Sequence, residues 1–384
     1  MSKYIELKQH VYFENLDSIR FIAALMVLFS HALSESYVFI PIEYSVVTTF
    51  LNLVSNGGLG VSIFFVLSGF LITYLLIVER ETKSKISLGN FYMRRILRIW
   101  PLYFAVIIFA FVAYPLAKSF IGIKGEGFAN IMYHMVFLSN FDLIHMKQTN
   151  IDAIPTSQAI NWSVSIEEQF YLFWPLIFAF LPKKMWLFSI LSVIAISILF
   201  RMQNYENKDI LYFHTLSVLL DLGIGGLFAF LVTQKKQAEE FFKNISTRTH
   251  CLFFVLFFGL IFYNQELFDF KYGLAIGRVF ISFSIALIIT AQAMTTSNTF
   301  LNLKNFKLGT YWGKYTYSIY LLHPICLTFS DVCSRVFNIP MVNFINTFIW
   351  GVLAIVLTFI VSKISYDYYE SYFIRLKHKF SILK

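Results

Sequence analysis

The chain is cut, from end to end, into runs of about 17–25 mostly apolar residues, each long enough to cross a bilayer as a helix. Their approximate limits are 16–35, 58–78, 98–117, 163–182, 185–202, 210–233, 249–263, 274–295, 312–334 and 343–364. Hydrophobic residues make up 58% of the 384 and charged residues 14%, whereas soluble domains average about 45–50% and 25%. A water-facing surface could not hide that much apolar area, so a soluble enzyme, a disordered chain and a coiled coil are all excluded. In lipid each backbone N–H and C=O must be satisfied within its own segment, which helices do. The expected fold is therefore all-α: a polytopic membrane bundle of about ten transmembrane helices. The seventh run is short and the ninth carries several polar groups, so those two are the weakest.

Sidedness follows from where the basic residues fall, because inner loops carry the Lys/Arg excess. With both termini cytoplasmic, 23 of the 31 Lys and Arg lie on inner segments and eight on outer ones. The net charge of +9 then reports membrane orientation, and no nucleic-acid partner is implied. The polar start, MSKYIELKQHVYFENLD, has no signal-peptide pattern, so the first run is expected to remain as an anchor. Loops are short except 118–162, where FANIMYHMVFLSNF is 14 residues long. That is too short to span, which predicts an interfacial or re-entrant helix. Residues 1–384 read as one membrane domain with a short basic tail at 366–384, and no appended soluble domain is expected. The three cysteines, Cys251, Cys326 and Cys333, form no CxxC and read as free thiols rather than a disulfide or metal site. No metal is predicted.

Ionisable groups inside membrane runs are costly and are functional candidates by default. Arg20 and His31 are eleven residues apart. At about 100° and 1.5 Å per residue they share a helix face, roughly 16 Å apart along the axis. Arg20 could also be a snorkelling anchor and His31 a hydrogen-bonded packing residue. Glu35, one turn after His31, could orient its ring. Ahead of the third run, FYMRRILRIWPLY sets Arg94, Arg95 and Arg98 at helical spacing on one side. Three guanidiniums there could clamp phosphates by forked hydrogen bonds or act as topology anchors. The fourth run opens NWSVSIEEQFYLFWP, with Glu167 and Glu168 adjacent and Tyr171 on the Glu167 stripe. Asp221 lies mid-run ahead of GIGG and needs a partner; Arg278 reads as a snorkelling residue. His323 sits mid-run in YSIYLLHPI beside Pro324. The glycine-containing GGLGVSIFFVLSGF lies within a run and signals helix packing.

Taken in order, these segments resemble the acyltransferase 3 family of integral-membrane acyltransferases. The pieces that carry the resemblance are LDSIRFIAALMVLFSH, GVSIFFVLSGFLIT, RRILRIWPLY, WSVSIEEQFY and YSIYLLHP. The family's pattern of a basic residue, ten intervening residues and a histidine falls on Arg20 and His31, and its Arg-x-x-Arg pattern on Arg95 and Arg98. The resemblance implies O-acyl transfer, usually of acetyl from cytoplasmic acetyl-CoA, to a hydroxyl of a cell-surface glycan or lipid-linked glycan. The acceptor expected is O-antigen, capsule or exopolysaccharide, with peptidoglycan also open, at the bacterial inner membrane and among its lipids. Some members carry an extracytoplasmic esterase-like domain after the bundle, which leaves open whether one polypeptide completes delivery.

The site expected from this reading places Arg20, Arg94, Arg95 and Arg98 on the phosphates of the acyl-CoA. His31, with an ordinary pKa near 6.5, is the base or acyl acceptor. Glu167 orients an imidazole or the acceptor, and His323 donates to the developing oxyanion. Glu168, Asp221 and Tyr171 contact the substrate. The rival class is a transporter or flippase of a lipid-linked glycan, in which buried charges line a pathway.

Overall fold

The computed structural model of the chain describes residues 12–37, 53, 55–116, 129–149, 161–296, 301–339, 341 and 343–381. Lys3, Lys8, Lys118, Lys124 and Lys384 lie outside them, as does the side chain of Glu35. Each apolar run holds one long helix, the runs 210–233 and 312–334 beginning in a short separate helix, Lys208–Phe213 and Lys307–Gly313, and no strand occurs among the described residues. The helices are α1 (Glu14–Tyr37), α2 (Gly57–Lys83), α3 (Leu88–Ile108), α4 (Asn161–Phe180) and α5 (Lys183–Gln203). They continue with α6 (Thr215–Gln234), α7 (Thr247–Phe262), α8 (Gly273–Met294), α9 (Thr316–Val336) and α10 (Phe344–Ser365). The protein is an all-α polytopic helical bundle.

Seven of these helices (α1, α2, α3, α5, α6, α8 and α10) are long and apolar enough to cross a membrane. An eighth span forms only if α7 is counted with the helix Lys236–Lys243, which is bent from it by 96°. The helices α4 and α9 have the length but fall outside that set. Their Glu167, Glu168 and His323 dilute the hydropathy, and those side chains face protein instead of lipid. Of the about ten spans expected, seven, or eight with the bent pair, are thus long and apolar enough to cross.

Helix ends follow local capping chemistry. Asn56 accepts the Leu59 N–H at 2.9 Å to start α2, Asn343 accepts from Asn346 N–H at 2.9 Å to start α10, and Ser246 caps α7. At the other end of α2, Ser84 takes the left-handed conformation at φ 61°. The bundle is built around the crossing of α2 and α6. A Cβ at Gly69 would meet the Leu222 carbonyl, and one at Gly225 would meet the Val66 carbonyl, so bare glycines let the two backbones touch. This is the packing role read from the glycine-containing segment. Around that pair, α1 packs on α2, α9 and α10, and α9 packs on α10.

Two sequence expectations gain detail here. Helix α3 begins at Leu88, ten residues before the apolar run, because FYMRRILR is itself good helix sequence. The three arginines therefore lie inside the helix that their spacing implied. The 14-residue segment holds the helix Ile131–Met135 and the start of Ser139–Gln148, neither long enough to span, as its length implied. It is pinned to the bundle by Tyr103, whose hydroxyl donates to the His134 carbonyl at 2.9 Å, and by Gln169, which donates to the Phe137 carbonyl at 2.8 Å. After α10 a π-helical turn, Tyr366–Glu370, leads into a short helix, Ser371–Lys377, that packs on α3. The three cysteines are free, as read from the sequence.

Candidate active site

A cavity of about 620 Å³ opens between α1, α2, α3, α4, α9 and the tail helix. Its charged lining is unbalanced: Arg20, Arg95, Arg98, Lys314 and Lys377 against Asp17 and Glu167. Arg20 pairs with Asp17, one turn earlier on α1. Arg95 is half-buried, stacked between the rings of Phe91 and Tyr171 with its guanidinium carbon 5.6 Å from each centroid. Its Nε has no hydrogen-bond partner. Arg98 lies 6.0 Å from the centroid of Tyr317. At the rim, the Lys314 ammonium lies 4.7 Å from the centroid of Tyr315. Further in, Glu167 accepts from the Ser68 hydroxyl at 2.9 Å and the Tyr171 hydroxyl at 3.0 Å. That ties α2 to α4 through the wall of the cavity.

The two membrane histidines, 292 positions apart, meet. His31 Nδ1 lies 3.0 Å from His323 Nε2, and the rings stack with centroids 5.1 Å apart. Neither lines the cavity itself, but His323 is 6.0 Å from the ring of Tyr320. Tyr320 does line the cavity and shares a 2.5 Å hydrogen bond with Ser163, another lining residue. His323 is buried and His31 exposed. The bonds set the tautomers. His323 Nδ1 is 3.2 Å from the Ile319 carbonyl, an acceptor only, so Nδ1 carries the hydrogen. The Tyr320 carbonyl also faces the ring; Pro324, lacking an N–H, leaves it without its helical donor. His323 Nε2 must then accept, and His31 Nδ1 must donate. In the neutral pair the one nitrogen left with a free lone pair is His31 Nε2, on the exposed ring.

Several expected site residues go elsewhere. Arg94 turns from the cavity to pair with Glu79 at 3.1 Å and to donate to the Phe380 carbonyl at 2.8 Å. The expected arginine cluster is thus split, since adjacent residues on a helix point about 100° apart. Asp221 finds Arg278 and Ser282 on α8, in a buried network away from the cavity. Arg278 is therefore an ion-pair partner and not a snorkelling residue. Glu168 accepts from Trp100 Nε1 at 3.0 Å and does not line the cavity. Glu167 bonds to a serine and a tyrosine and to neither imidazole, and His323 Nε2 is occupied by His31. What the sequence reading missed is Ser68, Ser163, Tyr317, Tyr320 and Lys377. Helical spacing held a signal for two of them: Ser163 lies one turn before Glu167 and Tyr320 about one turn before His323. Among the described residues no group of three His, Cys, Asp or Glu could hold a metal ion.

Comparison with known proteins adds the following. A family described as "Acyltransferase domain" matches residues 13–367. The chain is similar to the "Putative peptidoglycan O-acetyltransferase YrhL" of Bacillus subtilis, with 27% identity over 389 residues, 96% of this chain and 56% of that protein. It is also similar to the "O-acetyltransferase OatA" of Staphylococcus aureus, with 29% identity over 333 residues, 83% of this chain and 52% of that protein. A third relative is the "Peptidoglycan O-acetyltransferase OatA" of Listeria monocytogenes, with 27% identity over 342 residues, 82% and 51% of the two chains. The chain spans about half the length of these curated relatives. No solved structure matches it.

Proposed function

We propose, from the premise that this chain belongs to the acyltransferase family whose domain covers residues 13–367, that it is a multi-pass membrane O-acetyltransferase. Acetyl-CoA on the cytoplasmic side is the donor, and a hydroxyl of a surface glycan is the acceptor. Peptidoglycan is the first candidate acceptor, because two of the three relatives carry it in their names. The observation that carries the reading is the histidine pair next to a basic cavity, with Tyr320 lining the cavity on one side and lying 6.0 Å from His323 on the other. A nucleotide-bearing thioester needs cations at one end and a nucleophile or base at the other; here the cavity supplies the cations, and the histidine pair adjoins it at Tyr320.

In this reading Arg95, Arg98 and Arg20 hold phosphates, with guanidinium forks matched to phosphate oxygens. Arg94 has no part, being committed to Glu79. The thioester arm runs past Glu167, Tyr171 and Ser163. His31 Nε2 takes the hydroxyl proton of the acceptor as its oxygen attacks the thioester carbon; the C–S bond breaks and the thiolate leaves with that proton. The same lone pair serves if it attacks the thioester itself: the C–S bond breaks, the thiolate leaves and an acyl-imidazole remains, from which the acceptor oxygen takes the acetyl as its hydroxyl proton passes to the thiolate. His323 acts through His31 as a positioning residue, and Glu167 positions Tyr171 beside Arg95.

The test uses purified protein with acetyl-CoA and a glycan acceptor, following thiol release and the mass of the acceptor. Wild type should release thiol and add one acetyl to the acceptor. His31→Ala should lose at least about a hundredfold in rate while inserting and purifying normally. Full activity in that variant, or no donor consumption by wild type, overturns the proposal.

A further inference from the structure

We infer that Lys377, on the helix that follows α10, completes the site for the phosphate groups of the acyl donor. The inference rests on reading the cavity as the donor site, and it adds a residue that lies outside the family domain, whose match ends at residue 367. Lys377 and Ile374, one turn apart, bring the tail helix into the cavity wall.

The electrostatics around this lysine demand a counter-ion. Its ammonium faces Arg98, Arg95, Arg94 and Arg20. Two of those four are already neutralised, Arg20 by Asp17 and Arg94 by Glu79. Among the described residues no carboxylate comes within ion-pair distance of Arg95, Arg98 or Lys377. The acid facing Arg98 from the tail, Glu370, instead accepts from Ser318 at 2.6 Å and Ser365 at 3.1 Å. On the α4 side Glu167 is held by Ser68 and Tyr171. Three cations around one partly desolvated space repel one another, and the unpartnered Arg95 Nε adds an unused donor at the same place.

The fold nevertheless holds Lys377 there. Arg94 donates to the Phe380 carbonyl at 2.8 Å, Tyr369 donates to the Pro101 carbonyl at 3.1 Å, and Glu370 is bonded to α9 through Ser318. These anchors fasten the tail on both sides of Lys377. A group with several negative charges, placed among Arg95, Arg98 and Lys377, satisfies all three at once. Phosphates of a nucleotide have that chemistry, and the phosphodiester of an anionic lipid headgroup is the other phosphate source at a membrane.

The experiment measures equilibrium binding to the full-length protein in detergent. The ligands are coenzyme A, its analogue lacking the 3′-phosphate, and pantetheine, which has no phosphate. Lys377→Met should weaken coenzyme A roughly tenfold or more, as expected for a lost charge-assisted bond. It should leave pantetheine unchanged and keep the thermal transition of wild type. Lys377→Arg should bind coenzyme A within about threefold of wild type. The analogue identifies which phosphate is held: the effect of Lys377→Met either vanishes with it or persists. Equal losses for coenzyme A and pantetheine would make the role structural and overturn the inference. Unchanged coenzyme A binding in Lys377→Met would overturn it too, leaving the donor reading intact. Failure of wild type to bind coenzyme A would instead sink the donor reading itself. Repeating the binding in phosphatidylcholine nanodiscs with and without phosphatidylglycerol separates the two phosphate sources. Competition by phosphatidylglycerol that disappears in Lys377→Met would assign the lysine to lipid and overturn the inference.

Discussion

His31 and His323 show how much of this chemistry depends on single hydrogen positions. An imidazole is a base only at the nitrogen that lacks a hydrogen, and the choice of nitrogen is made by what the other one bonds. Here that choice is passed along from the Ile319 carbonyl through His323 to His31. His323→Ala should therefore lower kcat by on the order of a hundredfold with the donor KM little changed, because His31 loses the acceptor that selects its tautomer. His323→Asn retains an oxygen that can accept, and should recover part of the loss. A change confined to the donor KM would show that His323 shapes the cavity instead. The arginines make a related point. Arg94 and Arg95 are neighbours of the same type, yet one is paired to Glu79 and the other faces the cavity without a carboxylate.

At the scale of helices, the α2–α6 crossing holds the cavity walls at their separation, since α2 contributes Ser68 and α6 backs it. A Cβ at Gly69 meets the backbone of Leu222, which cannot swing aside as a side chain can. Gly69→Ala should cost about 1–3 kcal/mol or more, read as a lower melting temperature in detergent. Gly259, on α7, has nothing within 4 Å of the added carbon. Gly259→Ala should be neutral or stabilise by up to about 1 kcal/mol. Equal melting temperatures for the two variants would dismiss the close crossing. The polar helices α4 and α9 belong to the same argument. They supply Ser163, Glu167, Tyr320 and His323, and the groups that lower their hydropathy are the ones that line or adjoin the site.

For the whole molecule, the reading needs the basic end of the cavity to face the cytoplasm, where acyl-CoA is made. The tail helix belongs to that end through Lys377. In a background lacking Cys251, Cys326 and Cys333, a cysteine at exposed His378 should react with an impermeant maleimide only after the cells are opened. One at exposed Lys271 should react in intact cells. The reverse pattern would place the cavity mouth outside and remove the cytoplasmic donor.

The helix positions were legible in the residues because each depends on local hydropathy and capping. Most of the ten apolar runs match their helices closely, α3 being the exception because its polar first turns are helical too. Candidate chemistry was legible for a similar reason, since a charge or imidazole in an apolar run is conspicuous wherever the helix ends up. What those groups do with one another was not. The meeting of His31 with His323, the capture of Asp221 by Arg278 and the arrival of Lys377 in the cavity that Arg98 lines join residues far apart in sequence. No local pattern records such partners. The sequence alone thus determined the solvent, the helices and the candidates, because burial in lipid acts on each segment separately. The tertiary structure decided which candidates share a site, because an ion pair or a tautomer exists only between side chains that the fold has brought within hydrogen-bond distance.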